Sequence, residues 1–255
     1  MFRRPPPPFR HRARPLTTVT RDGVTLHGWH LPGTPSGPAF VIGHGFTNST
    51  AKLSTRAVID GFADFGGVIA LDFRGHGRSS GFGSVGRDEI HDLDAAVGLA
   101  RAAGYASVHS VGFSMGGSVA LRQAVLGSEP VDTVTSVSSP SRWYIRETRP
   151  MRRVHWLLES PFGPTVGRLL GVRLGGAWPV VPRTPLEVIG QISPTPLLLI
   201  HGTDDHYFSP AHAVALRAAA GAGAQLWIEP GMAHAESAAT AALIRRIAEW
   251  AGRPV

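Results

Sequence analysis

An α/β fold, with a mostly parallel sheet and helices on both of its faces, is predicted by two features of this 255-residue chain. Short apolar, β-branched runs alternate along it with stretches of helical spacing, and a G-x-S-x-G lies between one such run and the helix-like stretch that follows. Strand–helix alternation calls for parallel strands, because each crossover helix must lie back across a sheet face.

The elements follow in order. Residues 17–20 and 24–30 alternate apolar and polar side chains around Asp22-Gly23, a dipeptide suited to a tight hairpin, so two antiparallel strands open the domain. Residues 39–42 and 68–71 are continuous apolar runs ending at Gly43 and Asp72, as buried strands do. Helical spacing covers 51–65 between them and 88–103 after them, the latter with acids in its first turn where the helix dipole favours them. A strand over 107–111 and a helix over 117–126 flank the G-x-S-x-G. A strand over 131–137 follows and, after an interruption, a strand at 197–200, a helix near 211–220, a strand at 225–228 and a last helix at 236–250.

The interruption, 140–193, is rich in proline, arginine and glycine and carries Trp143, Tyr144, Trp156, Phe162 and Trp178. It is too long for a plain loop in a compact domain, so a small helical insertion is expected, with short helices around 156–158 and 166–170. Leaving from the carboxyl end of a strand, it should hang over the edge that carries the serine as a cap. The expected organisation is a basic, proline-rich disordered arm at 1–16, a core at 17–139 and 194–255, and the cap between.

With 43% apolar residues the chain can build one sizeable core. It has no cysteine, which excludes disulfides, thiolate zinc sites and cysteine nucleophiles. The arginine- and proline-rich start lacks an apolar signal segment and no stretch has the length of a membrane span, so a soluble cytoplasmic protein without stable membrane insertion is expected. Net charge is +7, with Lys52 the only lysine, and the excess arginine lies in residues 1–14 and 142–183. No nucleic-acid-binding signature accompanies it, so a solvated face is expected and nucleic acid is not a predicted partner.

Gly112-Phe113-Ser114-Met115-Gly116 is a nucleophile-elbow candidate: a sharp strand-to-helix turn needs glycine two residues before and after the serine, holds the hydroxyl at the strand's carboxyl end, and aims the Met115 amide where an oxyanion would develop. A serine needs a base, and the base a carboxylate to orient it. In this topology acid and then histidine follow at later strand ends. The strand at 131–137 runs into Ser138-Ser139-Pro140 and offers no acid. The next runs into His201-Gly202-Thr203-Asp204-Asp205, which offers two, and the last into Glu229-Pro230-Gly231-Met232-Ala233-His234. His234 is therefore the expected base. His206 is too close to Asp205 in sequence to bridge it to Ser114, and His212 falls in the following helix.

Together, Gly43-His44-Gly45-Phe46, Asp72-Phe73-Arg74-Gly75-His76-Gly77-Arg78-Ser79, the elbow, His201-Gly202-Thr203-Asp204-Asp205 and His234 resemble the α/β-hydrolases. Within that superfamily the chain is similar to capped esterases and to monoacylglycerol-lipase-like and serine-aminopeptidase-like hydrolases. The resemblance implies the α/β-hydrolase fold, an acid three residues after the glycine of His-Gly-x-x-Asp, hence Asp205, and a second oxyanion donor at the Phe46 amide. His44 would fix that loop, and residues 72–79 would serve as scaffold. The reaction expected is hydrolysis of a small to medium acyl ester by Ser114, Asp205 and His234, without cofactor or metal. A thioesterase or acyltransferase using Arg152 and Arg153 on carrier phosphates, a peptidase, and a non-catalytic binding protein are the alternatives.

Two other matches fail on context. Gly81-Phe82-Gly83-Ser84-Val85-Gly86 fits G-x-G-x-x-G but begins well after the preceding strand, so the turn that would bind a pyrophosphate is missing. Ser49-Thr50-Ala51-Lys52 fits S-x-x-K, but a chain with one lysine cannot supply the companion K-T-G.

Overall fold

A computed structural model describes residues 8–253. Eight strands form one sheet: β1 (Arg14–Val19), β2 (Thr25–Leu31), β3 (Pro38–Gly43), β4 (Gly67–Leu71), β5 (Ser107–Phe113), β6 (Thr133–Val137), β7 (Leu197–Gly202) and β8 (Gln225–Glu229). Their spatial order is β1-β2-β4-β3-β5-β6-β7-β8. β1 and β2 run antiparallel to their neighbours, and all pairs from β4 to β8 are parallel.

The helices are α1 (Leu53–Phe62), α2 (Glu89–Ala102), α3 (Met115–Leu126), α4 (Arg149–Glu159), α5 (Gly163–Leu170), the single turn α6 (Pro185–Val188), α7 (Ala211–Ala219) and α8 (Ala241–Ala251). Two apolar cores sandwich the sheet. α1 and α8 bury Ile59, Phe62, Ile244 and Ile247 on one face. α2, α3 and α7 bury Leu93, Val97, Val119, Leu121 and Leu216 on the other. Because β3, β4 and β7 are covered on both sides they read as near-continuous apolar runs, whereas β1, at the edge, alternates.

The last helix starts five residues later than its spacing predicts. Residues Ala235–Ser237 form a 3-10 turn, and Thr240 caps α8 by accepting from the Leu243 amide at 3.2 Å. Between β6 and β7, α4 and α5 pack around a small core of Leu157, Val172 and Leu174. This segment is tied to the loop after β4 by bridges pairing His76 with Val172 and Gly83 with Leu174.

The expectation of an arm over residues 1–16 needs correction. Its first seven residues lie outside those described, but the rest belongs to the fold. Phe9 stacks edge-on to Trp29 with ring centres 5.3 Å apart, beneath the Arg56 guanidinium. The Arg10 amide donates to Asp60 at 3.0 Å and its guanidinium reaches Asp64 at 3.1 Å. Arg10, with no acid in its own segment, finds Asp60 and Asp64 fifty residues away at the end of α1, a pairing composition does not reveal.

The loop after β4 is anchored by a buried ionic knot. Arg74 grips Asp22 of the β1–β2 turn with both terminal nitrogens, at 2.7 and 3.0 Å. Its Nε and backbone amide donate to Asp92 of α2 at 2.9 and 2.7 Å. The Asp92 side chain is fully buried. Removing one partner of such a pair strands the other's charge in the interior. Arg74→Ala should therefore lower unfolding free energy by about 3–5 kcal/mol, measured by urea denaturation; a loss near zero would show that Asp92 needs no counter-charge.

Candidate active site

Ser114 sits between β5 and α3 with φ 53° and ψ −118°, a conformation that L-residues avoid. Its amide donates to the Val137 carbonyl at 2.8 Å, tying the turn to β6. A Cβ on Gly112 would come within 2.1 Å of the Gly116 carbonyl oxygen. One on Gly116 would meet not Gly112 but the Gly43 carbonyl oxygen, at 2.2 Å. The two glycines of the motif thus answer to different neighbours, one inside the turn and one at the end of β3.

Three sequence-predicted side chains converge here. His234, in the loop after β8, faces Ser114 Oγ with Nε2 at 2.9 Å and Asp205 Oδ2 with Nδ1 at 2.8 Å. A carboxylate only accepts, so Nδ1 carries the proton and Nε2 accepts from the serine hydroxyl. The Asp205 side chain is fully buried, and its other oxygen accepts from the Tyr207 and Phe208 amides at 2.8 and 3.1 Å. Burial alone would raise its pKa; the His234 hydrogen bond and charge, with the two amides, outweigh that and hold it below the usual carboxylate range. Asp204 is exposed and, among the described residues, accepts only from the Thr203 hydroxyl, at 2.9 Å. His206 is exposed, and His212 in α7 bonds Ser141 at 2.8 Å, away from the serine.

Phe46 and Met115 border the same space as Ser114 and His234, and neither amide donates to another group among the described residues. The Gly45–Phe46 peptide is held from behind. His44 Nδ1–H donates to the Gly45 carbonyl at 2.8 Å, while its Nε2 accepts from the Phe73 amide at 3.0 Å. Because a trans peptide points its C=O and N–H in opposite directions, a carbonyl pinned on His44 turns the Phe46 N–H away from that ring. Complete burial, with His76 nearby, lowers the His44 pKa to about 3, so the ring is the neutral tautomer these bonds require.

One support lies in the 72–79 stretch expected as scaffold, and a second, Glu236, escapes sequence reasoning. His76, fully buried, lies 2.6 Å from the Phe46 carbonyl oxygen through Nε2. Glu236, 4% exposed, accepts from the Gly45 amide at 2.7 Å, lashing the His234 loop to the Gly45 loop. The only signal for Glu236 was an acid two residues beyond the histidine, in a stretch its spacing assigns to a helix.

Ser114, His234, Phe46, Met115 and Glu236 line a cavity of about 480 Å³. The 140–193 segment supplies much of its wall, including Trp143 and Trp178, whereas Trp156 and Phe162 face away, 57% and 68% exposed. Arg152 and Arg153 do not line it. The loop at 81–86 has no vacancy for a phosphate, because the Glu89 carboxylate takes the Ser84 and Gly86 amides at 2.6 and 2.7 Å. Among the described residues no helix is long and apolar enough to cross a membrane.

The family model described as the alpha/beta hydrolase fold matches residues 38–159. By this match and by its sheet topology the chain has the α/β-hydrolase fold. The Pyrococcus furiosus esterase Pf2001 superposes with a TM-score of 0.74 at 23% identity, covering 94% of this chain and 92% of that one. The esterase RhEst1 from Rhodococcus sp. ECU1013 gives 0.67 at 18%, covering 93% and 99%. XC6422 from Xanthomonas campestris, described as an α/β serine hydrolase without lid, gives 0.63 at 18%, covering 96% and 95%. At these identities the likeness is one of fold. No curated protein matches the chain by sequence.

Burial raises the Glu236 pKa even though the Gly45 amide, its own amide and Asn48 favour the carboxylate. An acid whose folded pKa exceeds its unfolded one contributes stability below the unfolded value and loses it as pH rises through the folded value. Glu236→Gln keeps an acceptor for Gly45 without a titrating group, so its melting temperature should gain on wild type as pH climbs above the ordinary glutamate range. Parallel melting curves across that range would show that Glu236 titrates normally.

Proposed function

We propose that the protein is a serine hydrolase that cleaves a small to medium carboxylic ester through an acyl-enzyme, with Ser114 as nucleophile, His234 as base and Asp205 as the acid that orients it. The observation that carries this reading is the continuous chain from Ser114 Oγ through both nitrogens of His234 to a buried Asp205, at 2.9 and 2.8 Å, ending beside two amides without partners among the described residues.

In this mechanism Ser114 Oγ attacks the ester carbonyl carbon as its proton passes to His234 Nε2. Asp205 keeps the imidazole in register and stabilises the imidazolium that forms. The carbonyl oxygen, now carrying the charge, accepts from the Phe46 and Met115 amides. Collapse expels the alkoxide, which takes the proton from Nε2 and leaves an acyl group on Ser114. Water then repeats the sequence, giving the carboxylic acid and free serine. The segment 140–193 acts as a cap: Trp143, Trp178, Val154 and Leu158 supply an apolar wall over the serine, and the cavity volume suits an acyl ester rather than a polymer.

A fluorophosphonate should label wild type and not Ser114→Ala, and that variant should lose about four orders of magnitude or more in kcat on p-nitrophenyl esters. Asp205→Asn should cost about 10⁴ in kcat by losing the carboxylate that fixes the tautomer, while Asp204→Asn stays within about a factor of three. A folded wild type that neither labels nor turns over any ester of a chain-length series overturns the reading, and equal losses from the two aspartate variants overturn the acid assignment.

A further inference from the structure

Helix α4 has two distinct faces. Met151, Val154, His155 and Leu158, spaced three or four apart, line the cavity above Ser114. The opposite stripe is Arg149, Arg152, Arg153 and Trp156, all exposed. The surface continues past the helix through Phe162 to Arg168 and Leu169 of α5, with Leu169 78% exposed.

Neither its apolar nor its charged side chains are accounted for by packing. Of the fourteen large apolar side chains exposed among the described residues, eight fall in 140–193, about a fifth of the chain. The nearby acids are already engaged: Glu159 holds Arg146 and His155, and Glu147 holds Arg142. Arg149, Arg153 and Arg168 have no carboxylate partner among the described residues, and Arg152 donates to the carbonyls of Arg146 and Glu147. Unneutralised arginines on one helical stripe, interleaved with a tryptophan, a phenylalanine and a leucine, have the composition of a helix lying in a membrane interface. There arginine heads meet lipid phosphates while their stems and the aromatic rings sit among the glycerol and upper acyl groups.

We propose that the outer face of α4 and the start of α5 dock on an anionic phospholipid surface, placing the roof of the Ser114 cavity at the interface. Arginine alone would serve an acidic protein or a nucleic acid equally well; the exposed Trp156, Phe162 and Leu169 give lipid the advantage, since they gain by leaving water only where an apolar phase receives them. The inference extends to substrate only if the ester-hydrolase reading holds. An amphiphilic ester concentrated in the same interface would then enter beneath α4.

The test is co-sedimentation of the full chain with vesicles of phosphatidylcholine alone and of phosphatidylcholine mixed with phosphatidylglycerol. Binding is expected to the anionic vesicles, to weaken with salt, and to be slight on the neutral ones. Arg149→Gln/Arg152→Gln/Arg153→Gln should lower partitioning on the order of a hundredfold, from roughly fivefold per charge. Trp156→Ala/Phe162→Ala/Leu169→Ala should abolish it while leaving turnover of a water-soluble ester within about a factor of two, since none of the three lines the cavity. The proposal is overturned if the chain ignores anionic vesicles, if both variants bind like wild type, or if a DNA duplex of the same charge density is bound as tightly and the apolar variant loses nothing. Turnover of the soluble ester without vesicle binding defeats the docking surface alone; vesicle binding without turnover defeats the hydrolase reading alone.

Discussion

The strained serine at the end of β5 is the constraint on which the rest of the site depends. A non-glycine residue held at φ 53° costs on the order of 1–3 kcal/mol unless its surroundings leave it no other choice. Here the Ser114 amide is committed to Val137 on β6, and α3 begins so abruptly that a Cβ on Gly112 or Gly116 would meet a backbone oxygen at 2.1 or 2.2 Å. That crowding exists only because β3, β5 and β6 lie side by side, with Gly43 level with Gly112 and Gly112 level with Ser136. The same parallel register brings the ends of β7 and β8 to this edge, so Asp205 and His234 arrive without long excursions. Ser138 takes part as well: it too has positive φ, and its hydroxyl accepts from the Ala235 amide at 3.2 Å, fixing the backbone next to the histidine.

Around the serine, polarity is arranged so that few groups are free to adapt. His44 is fully committed between a donor and an acceptor, and Asp205 spends both oxygens on neighbours. Glu236 binds the Gly45 amide from the opposite side to His44. The Phe46 and Met115 amides are left over from this accounting. Unpaired donors in a partly dry cavity are costly to stability, and a site keeps them where a ligand oxygen completes them. The free amides and the strained serine therefore favour the same developing charge, which is the physical reason an acyl-transfer reading fits better than a passive binding one.

Most of the fold was legible because its signals are local. Continuous apolar runs such as 39–42 and 68–71 announce strands covered on both faces, and the elbow glycines announce a turn with no room for Cβ. Ser114, Asp205 and His234 could be ordered because strand ends in a parallel sheet share one edge, and the structure brings these three together. What could not be read depends on contacts distant in sequence. Arg10 meets Asp60 and Asp64, so an apparent arm is docked chain; Arg74 joins Asp22 to Asp92; Glu236 reaches Gly45 across 191 positions. Each was visible only as a charge without a partner. Charge composition fixes how many partners a chain needs and leaves their identity to the fold.

The segment between β6 and β7 was legible only as a helical insertion with two short helices, and its detail was not, for a different reason: it answers to weaker constraints than the sheet. Its own apolar core is three residues, Leu157, Val172 and Leu174. It is attached to the body by the His76–Val172 and Gly83–Leu174 bridges and by polar ties, among them Thr148 to the Tyr207 carbonyl at 3.0 Å, Ser141 to His212 at 2.8 Å, and the Trp178 indole to the Ser84 carbonyl at 2.6 Å. None of these passes through the strand register that fixes Ser114. Side chains such as Val154 and Leu158 can therefore change the cavity's shape without disturbing the elbow, so selection for substrate and selection for chemistry act on separate residues. The sequence pattern that sets Ser114, Asp205 and His234 accordingly carries no information about what enters the cavity above them.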